Sequence, residues 1–238
     1  MMRNRKYDPT EALKLVPFFH NLNQEEVENL AKRLVPRRFS ANQIIFHHGD
    51  PGGLLYIIGK GKVKITHSTP DGQEAMLAIF GSGDFFGELA LLDDSPRSAT
   101  VEALEPTDTM TLHREDFIRF ISNNPDFALH VLKTLAQHIR RLNNQLSDIF
   151  FLDLPARLAR QLLQLAEQHG RSTTEGTLIE ISLTQTDLAE MTGATRVSIN
   201  KALGRFRRAN WVKVSGRKFT IVDRDALRNL IQTSGGSI

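Results

Sequence analysis

The spacing of apolar and polar positions divides the chain into three regimes. Residues 10–35 have helical spacing in EALKLV and NQEEVENLAKRLV and predict short helices. From about Arg37 to Leu112, short alternating or apolar runs are separated by glycine, as in Lys62–Thr66, and Pro70–Gly72 is a turn signal. Many short strands at regular spacing predict a small antiparallel barrel or roll. The fold class is therefore expected to be α+β.

The third regime is helical and begins after Pro125, with no glycine or proline until Pro155. Its apolar positions alternate at spacings of three and four residues, which is an a/d seam. The seam consists of Leu132, Leu135, Ile139, Leu142, Leu146 and Ile149. A narrow stripe of this kind favours a partner helix, so a homodimer is predicted. The alternative is an amphipathic helix that packs on its own domain.

A second set of short helices follows near the end of the chain. Thr184 is in position to cap one helix, Gly193 to stop it, and Thr195 to cap the next. Two short helices joined at a glycine turn are typical of the helix-turn-helix unit. The segment NWVKVSGRKFTIVD then predicts two strands around Ser215–Gly216, which is a basic wing.

Charge is distributed unevenly although the net charge is only +3. Between Met191 and Val222 there is no Asp or Glu but there are eight Lys or Arg residues. Such a window can be a solvated face, but together with the glycine turn, the caps and the wing it predicts double-stranded DNA as a partner. The candidate DNA contacts are Thr184, Thr195, Arg196, Val197, Ser198, Asn200, Lys201, Arg205 and Arg208.

Composition excludes several classes of protein. With 238 residues the chain can form one large or two ordinary domains, and no apolar run approaches the about 18 residues of a membrane helix. The start, MMRNRKYDPT, is no secretory signal, so the expected compartment is the cytoplasm. No cysteine is present, which removes disulfides, thiolate nucleophiles and cysteine-ligated iron–sulfur clusters. No enzyme motif is apparent in the sequence. No metal site is apparent either, because adjacent residues such as His47 and His48 rarely bind the same metal ion.

The stretch FGELALLDDSPRSAT places a glutamate beside a glycine and an arginine and serine some ten residues later. Glu88 and Arg97 could form a surface ion pair. Alternatively they hold one ligand, because a carboxylate accepts hydrogen bonds from hydroxyls and a guanidinium matches phosphate oxygens.

The same stretch resembles the phosphate-binding cassette of cyclic-nucleotide-binding domains. The Thr184–Leu203 segment, with ATRVSINKAL, is similar to the helix-turn-helix of the cyclic-AMP receptor protein/FNR superfamily, and NPDF and FLDLPARLARQLL are similar to its dimer helix and hinge. The resemblance covers nearly the whole chain. It implies an eight-stranded β-roll with N-terminal helices over residues 1–124, a central dimerisation helix and hinge over 125–152, and a C-terminal winged helix-turn-helix domain over 153–238.

The resemblance also implies roles for the cassette residues. Gly87 lets the backbone approach the ligand, and Glu88 accepts the ribose 2′-hydroxyl. Leu89 opens a short helix whose backbone N–H groups face the ligand, Arg97 binds the cyclic phosphate, and Ser98 adds a hydroxyl. The implied effector is cAMP, with RNA polymerase as a further partner.

Two positions depart from the family pattern. Cyclic-AMP-responsive members have Thr followed by Ser or Asn on the central helix, whereas this chain has Leu142 and Asn143 there. Asn143 can still bond an adenine edge. In the recognition helix the usual Arg-Glu pair is replaced by Arg196-Val197, so a shifted target is expected. The effector therefore stays open between cAMP, another nucleotide, haem and none.

Overall fold

A computed structural model of the protein describes residues 23–69 and 74–234, together with Thr10, Leu13 and Phe19. The chain divides into two compact units, with the boundary between Gln137 and His138. The helix expected over EALKLV and the turn expected at Pro70–Gly72 lie outside the described residues.

The described elements of the first unit are α1 Gln24–Ala31, β1 Val35–Phe39, β2 Ile44–Phe46, β3 Leu54–Lys60, β4 Val63–Ser68, β5 Glu74–Phe80, β6 Phe85–Phe86, α2 Leu89–Leu92, β7 Thr100–Ala103, β8 Thr107–His113 and α3 Arg114–Asn123. The strands form a roll of two four-stranded antiparallel sheets, with strand orders β1-β8-β3-β6 and β2-β7-β4-β5. The expected fold class and the eight strands of the roll are confirmed. Helix α1 ends at Ala31, before the predicted end, because the next turn leads directly into β1.

Strand β3 supplies side chains to both sides of its sheet, and each side is buried. Leu55 and Ile57 belong to one apolar cluster, which includes Leu112 of the neighbouring strand. Tyr56 and Ile58 point the other way and belong to a second cluster. Because successive side chains of a strand alternate between faces, this apolar run joins two cores.

Helix α4, Pro125–Phe151, follows α3 and has a different environment along its length. Near its start, Phe127 and Val131 are buried in the first cluster, and the Phe127 ring packs edge-on against Phe120. Leu135 is half-buried against the same cluster, although it was predicted in the seam. The remaining seam residues are exposed, with relative accessibilities between 47% and 62%. They are Leu132, Ile139, Leu142, Leu146 and Ile149.

The second unit has the winged helix-turn-helix arrangement. After the last part of α4 it contains α5 Leu154–His169, β9 Gly170–Thr173, β10 Gly176–Ile179, α6 Gln185–Thr192, α7 Arg196–Arg208, β11 Val212–Ser215, β12 Lys218–Ile221 and α8 Arg224–Ser234. The strands form an antiparallel sheet in the order β11-β12-β10-β9. The predicted wing around Ser215–Gly216 is the β11–β12 hairpin.

The junction between α4 and α5 is held by several polar contacts. Asp153 caps α5 by accepting from the backbone N–H of Ala156, at 2.9 Å. The carboxylate of Asp148, near the end of α4, pairs with the guanidinium of Arg160 on α5. Burial raises the pKa of Asp148, and the charge of Arg160 opposes that rise. The end of α4 is therefore fixed to the first turns of α5.

The described helices include none that is long and apolar enough to cross a membrane. Within residues 23–69 and 74–234, no group of three or more His, Asp or Glu side chains could hold a metal ion.

Candidate functional site

The cassette is built where strand β6 ends and helix α2 begins. Gly87 has a φ of +85°, a conformation that side-chain-bearing residues rarely adopt. This turn carries the chain from the core strand to Glu88, which lies at the N-cap of α2. The carbonyl of Glu88 accepts from the backbone N–H groups of Leu91 and Leu92, at 3.0 and 3.1 Å. The glycine therefore fixes where the glutamate enters the site.

The Arg97 side chain is buried, with 5% exposure, and lies against the Gly87–Glu88 backbone. Its Nη1 donates to the carbonyl of Gly87 and its Nη2 to the carbonyl of Leu54, both at 2.9 Å. Its Cζ lies 4.2 Å from the centroid of the Phe46 ring. Its buried Nε has no hydrogen-bond partner among the described residues. Burial lowers the pKa of Arg97, and the nearby Tyr56, Glu88 and Asp50 oppose this change.

Glu88 is equally buried, with 6% exposure. Burial raises its pKa to about 7, while a hydrogen bond from its own backbone N–H and the charge of Arg97 act in the opposite direction. In the described part of the chain, no ion pair joins Glu88 to Arg97. The alternative of a surface ion pair therefore does not fit, because both groups are buried and they are not paired with each other.

This arrangement offers an anion-binding fork and a hydroxyl acceptor at neighbouring positions. The guanidinium donates its hydrogen bonds to neutral carbonyls and forms no ion pair with a carboxylate among the described residues. A buried carboxyl next to it can accept hydrogen bonds from hydroxyl groups. The chemistry suits a ligand that carries a phosphate and hydroxyls together.

The other predicted ligand contacts are arranged differently. Ser98 and Leu89 are exposed at the edge of the cassette. Asn143 is exposed on α4 and belongs to the second unit. The structure thus brings Gly87, Glu88 and Arg97 together, and the proposed roles of the other three stay predictions.

Aromatic residues beneath Arg97 were not singled out from the sequence. The rings of Tyr56 and Phe86 are stacked with their centroids 5.0 Å apart, and the centroid of the Phe46 ring lies 5.7 Å from that of Tyr56. Tyr56 and Phe86 are register partners on β3 and β6. Only the strand pairing brings them together, so no local sequence signal identifies them.

The helix-turn-helix is fixed by the predicted caps. The Thr184 hydroxyl accepts from the backbone N–H of Asp187, and the Asp187 carboxylate accepts from the backbone N–H of Thr184, at 3.1 and 2.6 Å. Gly193 ends α6 in the left-handed region, with φ +63°. The Thr195 hydroxyl then caps α7 by accepting from the backbone N–H of Ser198, at 3.2 Å. The turn between the two helices is therefore set by local chemistry.

Helix α7 has one buried and one exposed face. The buried face packs Ile199, Ala202, Leu203 and Phe206 into the unit. On the exposed side are basic and polar residues, including Arg196, Asn200, Lys201, Arg205 and Arg208. Among the described residues, no carboxylate is ion-paired with any basic side chain of this helix. The helix therefore presents uncompensated positive charge.

In contrast to the basic residues of α7, two basic residues of the wing strands have partners within the unit. Lys213 of β11 pairs with Glu175 at 3.2 Å. Lys218 of β12 donates to the backbone carbonyl of Glu180. The basic side chains without a carboxylate partner among the described residues are therefore concentrated on α7.

A β-roll with a phosphate-compatible cassette, followed by a winged helix with an uncompensated basic helix, is typical of transcription regulators that combine a ligand-binding domain with a DNA-binding domain. The family model of the cyclic nucleotide-binding domain matches residues 36–124, and that of the Crp-like helix-turn-helix domain matches residues 156–230. The chain belongs to the CRP/FNR family of transcription regulators. The family resemblance expected from the sequence is confirmed.

Individual relatives agree with this assignment. A CRP-like cAMP-activated global transcriptional regulator of Mycobacterium tuberculosis is 36% identical over 219 residues, which is 91% of this chain and 97% of that protein. The cyclic AMP receptor protein of Thermus thermophilus is 34% identical over 80% of this chain and 85% of its own length.

Solved structures show the same fold. A CRP-family transcriptional regulator from Thermus thermophilus has a TM-score of 0.71 and 25% identity, over 85% of this chain and 100% of its own. The c-di-GMP-responsive global regulator CLP of Xanthomonas campestris has a TM-score of 0.75 and 22% identity, over 84% and 99% of the two chains. At 22% identity, the likeness to CLP shows a shared fold alone.

Proposed function

We propose that this transcription regulator is a homodimer whose DNA binding is controlled by a cyclic nucleotide, and that the nucleotide is cAMP. The observation that carries the proposal is the buried guanidinium of Arg97, which is held beside Gly87 and Glu88 without a carboxylate partner. The relatives of Mycobacterium tuberculosis and Thermus thermophilus are named for cAMP. Their names support the choice of this nucleotide for the present chain.

In the proposed complex the cyclic phosphate accepts from Arg97, including its unpartnered Nε. Glu88 accepts a hydrogen bond from the ribose 2′-hydroxyl. Ser98 and the backbone N–H of Leu89 add donors to the phosphate, and Asn143 bonds the purine edge. The proposed arrangement includes no metal, and the guanidinium supplies its positive charge.

Isothermal titration calorimetry tests the ligand. Wild-type protein is titrated with cAMP, cGMP and cyclic di-GMP, and cAMP is expected to bind most tightly. Arg97→Ala should lose about tenfold or more in affinity, since each charged hydrogen bond contributes about 1.5–3 kcal/mol. Arg38→Ala is the matched control, because Arg38 is an exposed arginine of the same unit that pairs with Asp108. No heat with any of the three nucleotides contradicts the proposal, and an absorption spectrum of the purified protein tests haem directly.

The homodimer is proposed from the exposed stripe of α4. Leu142, Leu146 and Ile149 stand at heptad spacing and are each about half exposed, which is costly for a helix that remains alone in water. Leu142→Asp with Leu146→Asp should give a monomer by light scattering. Asn144→Asp with Ser147→Asp adds the same charge to other exposed positions of the helix and should remain a dimer. A wild-type protein that is monomeric at micromolar concentration contradicts this part of the proposal.

A two-fold dimer presents two copies of α7, so the proposed target is a near-palindrome with half-sites about 34 Å apart. Arg196, in the first turn, contacts guanine O6 and N7, and RNA polymerase is the further proposed partner. Selection from a random duplex pool, with and without cAMP, tests target, symmetry and effector dependence together. Palindromic enrichment that strengthens with cAMP is expected. Enrichment of no palindrome in either condition contradicts the proposed target.

A further inference from the structure

Among the described residues of the DNA-binding unit from 154 to 234, one large apolar side chain is exposed to solvent. It is Val197, with 66% exposure. Scattered exposed apolar residues are common on protein surfaces and need no special account. This one is distinguished by its place in the second position of the recognition helix α7, directly after Arg196.

The direction of Val197 follows from the helical repeat. With about 3.6 residues per turn, Lys201 and Arg208 lie on the same stripe of α7 as Val197, within about 40° of it. The buried residues Ile199 and Phe206 lie on the opposite side. Val197 therefore projects where the uncompensated cations project, away from the core of its own unit.

The chemistry of Val197 restricts what it can recognise. Its side chain has no donor or acceptor, so it cannot distinguish base edges by hydrogen bonds. In the major groove of DNA the apolar group at a base edge is the C5-methyl of thymine, and apolar side chains contact it there. We propose that Val197 is a specificity-determining residue that contacts a thymine methyl group next to the guanine bound by Arg196. This inference rests on the proposed function, because it assumes that α7 enters the major groove.

The size of the effect follows from the burial of a methyl group. One buried methyl is worth about 0.8 kcal/mol, which is about fourfold in affinity for each half-site. A thymine replaced by deoxyuridine loses this methyl and keeps every donor and acceptor. The exchange therefore isolates the proposed contact from all hydrogen bonding at the same base pair.

The experiment uses the full-length protein and the duplex enriched in the selection described above. Each thymine of a half-site is replaced in turn by deoxyuridine, and the dissociation constant is measured for wild type, Val197→Ala and Arg196→Ala. At one position per half-site, deoxyuridine should weaken wild-type binding about fourfold and weaken binding by Val197→Ala by a smaller factor, because alanine keeps only one methyl group for the contact. Arg196→Ala should keep the deoxyuridine effect while losing its preference for guanine.

A second variant tests the same position in the opposite direction. Val197→Glu introduces an acceptor for the N4 amino group of cytosine, so its preferred base pair at that position should change from T·A to C·G. The inference is overturned if deoxyuridine weakens wild type and Val197→Ala equally at every position, or if the selected half-site contains no thymine. If wild type selects a palindrome but shows no methyl effect, only this inference fails. If it selects no duplex, the proposed function fails as well.

Discussion

Arg97 donates from Nη1 to the backbone carbonyl of Gly87, 2.9 Å away, and this contact leaves no room for a side chain at residue 87. A Cβ atom there would lie 2.5 Å from that Nη1 and 3.0 Å from the carbonyl of Leu54. The backbone of Gly87 also has a positive φ, so a side chain is unfavourable for two independent reasons.

Gly87→Ala is therefore expected to displace Arg97. The resulting loss in the free energy of cAMP binding should exceed the loss in the free energy of unfolding. The left-handed backbone alone costs about 1–3 kcal/mol of unfolding free energy. Affinity is measured by calorimetry and stability by urea unfolding. Gly53→Ala is the matched control, because a Cβ at that position meets nothing within 4 Å. Wild-type affinity in Gly87→Ala would show that the Arg97 position is unimportant for the ligand.

The buried carboxyl of Glu88 predicts a pH dependence of stability. Its pKa is raised from 4.5 to about 7, so between these values the folded protein holds a proton that the unfolded chain has released. The contribution of Glu88 to stability is therefore fully present below pH 4.5 and is lost as the pH rises through 7. The side chain of the Glu88→Gln variant cannot titrate. Its free energy of unfolding should therefore rise relative to that of wild type from about pH 5 to 8, by about 3 kcal/mol at most. Urea unfolding of both proteins across this range is the measurement, and a constant difference would contradict the prediction.

The pair between Asp148 and Arg160 is expected to stabilise the junction of α4 and α5. The Asp148 side chain is only 13% exposed, so a lone carboxylate there would be poorly solvated. A double-mutant cycle with Asp148→Asn and Arg160→Met should give a coupling free energy of about 1 kcal/mol or more in urea unfolding at about pH 7. The exposed pair Asp225 and Arg228 on α8 is the control, and its cycle should give nearly zero. Equal coupling in both pairs would mean that the junction pair has no special role.

Arg208 and Arg196 are expected to differ in their effect on DNA binding. Arg208 lies in the last turn of α7, where we expect it to contact phosphate rather than a base edge. Arg208→Ala should therefore weaken binding to all sequences similarly and reduce the slope of log K against log salt concentration by about 1 per half-site. Arg196→Ala should relax specificity at one guanine per half-site and cost about 1–3 kcal/mol. Dissociation constants over a salt series, on the selected and a scrambled duplex, separate the two patterns. Identical behaviour of both variants on both duplexes would contradict these assignments.

Local features of the structure were predictable from the sequence. The capping box of Thr184 and Asp187, the glycine stop at Gly193 and the wing at Ser215–Gly216 each depend on residues only a few positions apart. The chemistry that forms them is complete within the segment, so the pattern alone is enough.

Features that depend on distant residues were not predictable in the same way. The rings beneath Arg97 come together only because β2, β3 and β6 meet there, and no spacing in the sequence indicates that meeting. Leu135 fits the heptad seam as well as Leu142 does. It is nevertheless half-buried, because the first turns of α4 pack on the core around Phe127. An apolar stripe indicates that a face is covered but does not identify what covers it.

The uncompensated charge of α7 has a consequence for how the regulator finds its site. Cations that no carboxylate neutralises attract the phosphates of any duplex, whatever its sequence, through the release of counterions. A protein held in this way samples DNA by sliding and hopping, and it is free in solution only between such excursions. The effector then has little need to recruit the protein to DNA. Under the proposed control by a cyclic nucleotide, the effector would act mainly on the dissociation rate, by lengthening the residence time at the target sequence relative to other duplexes.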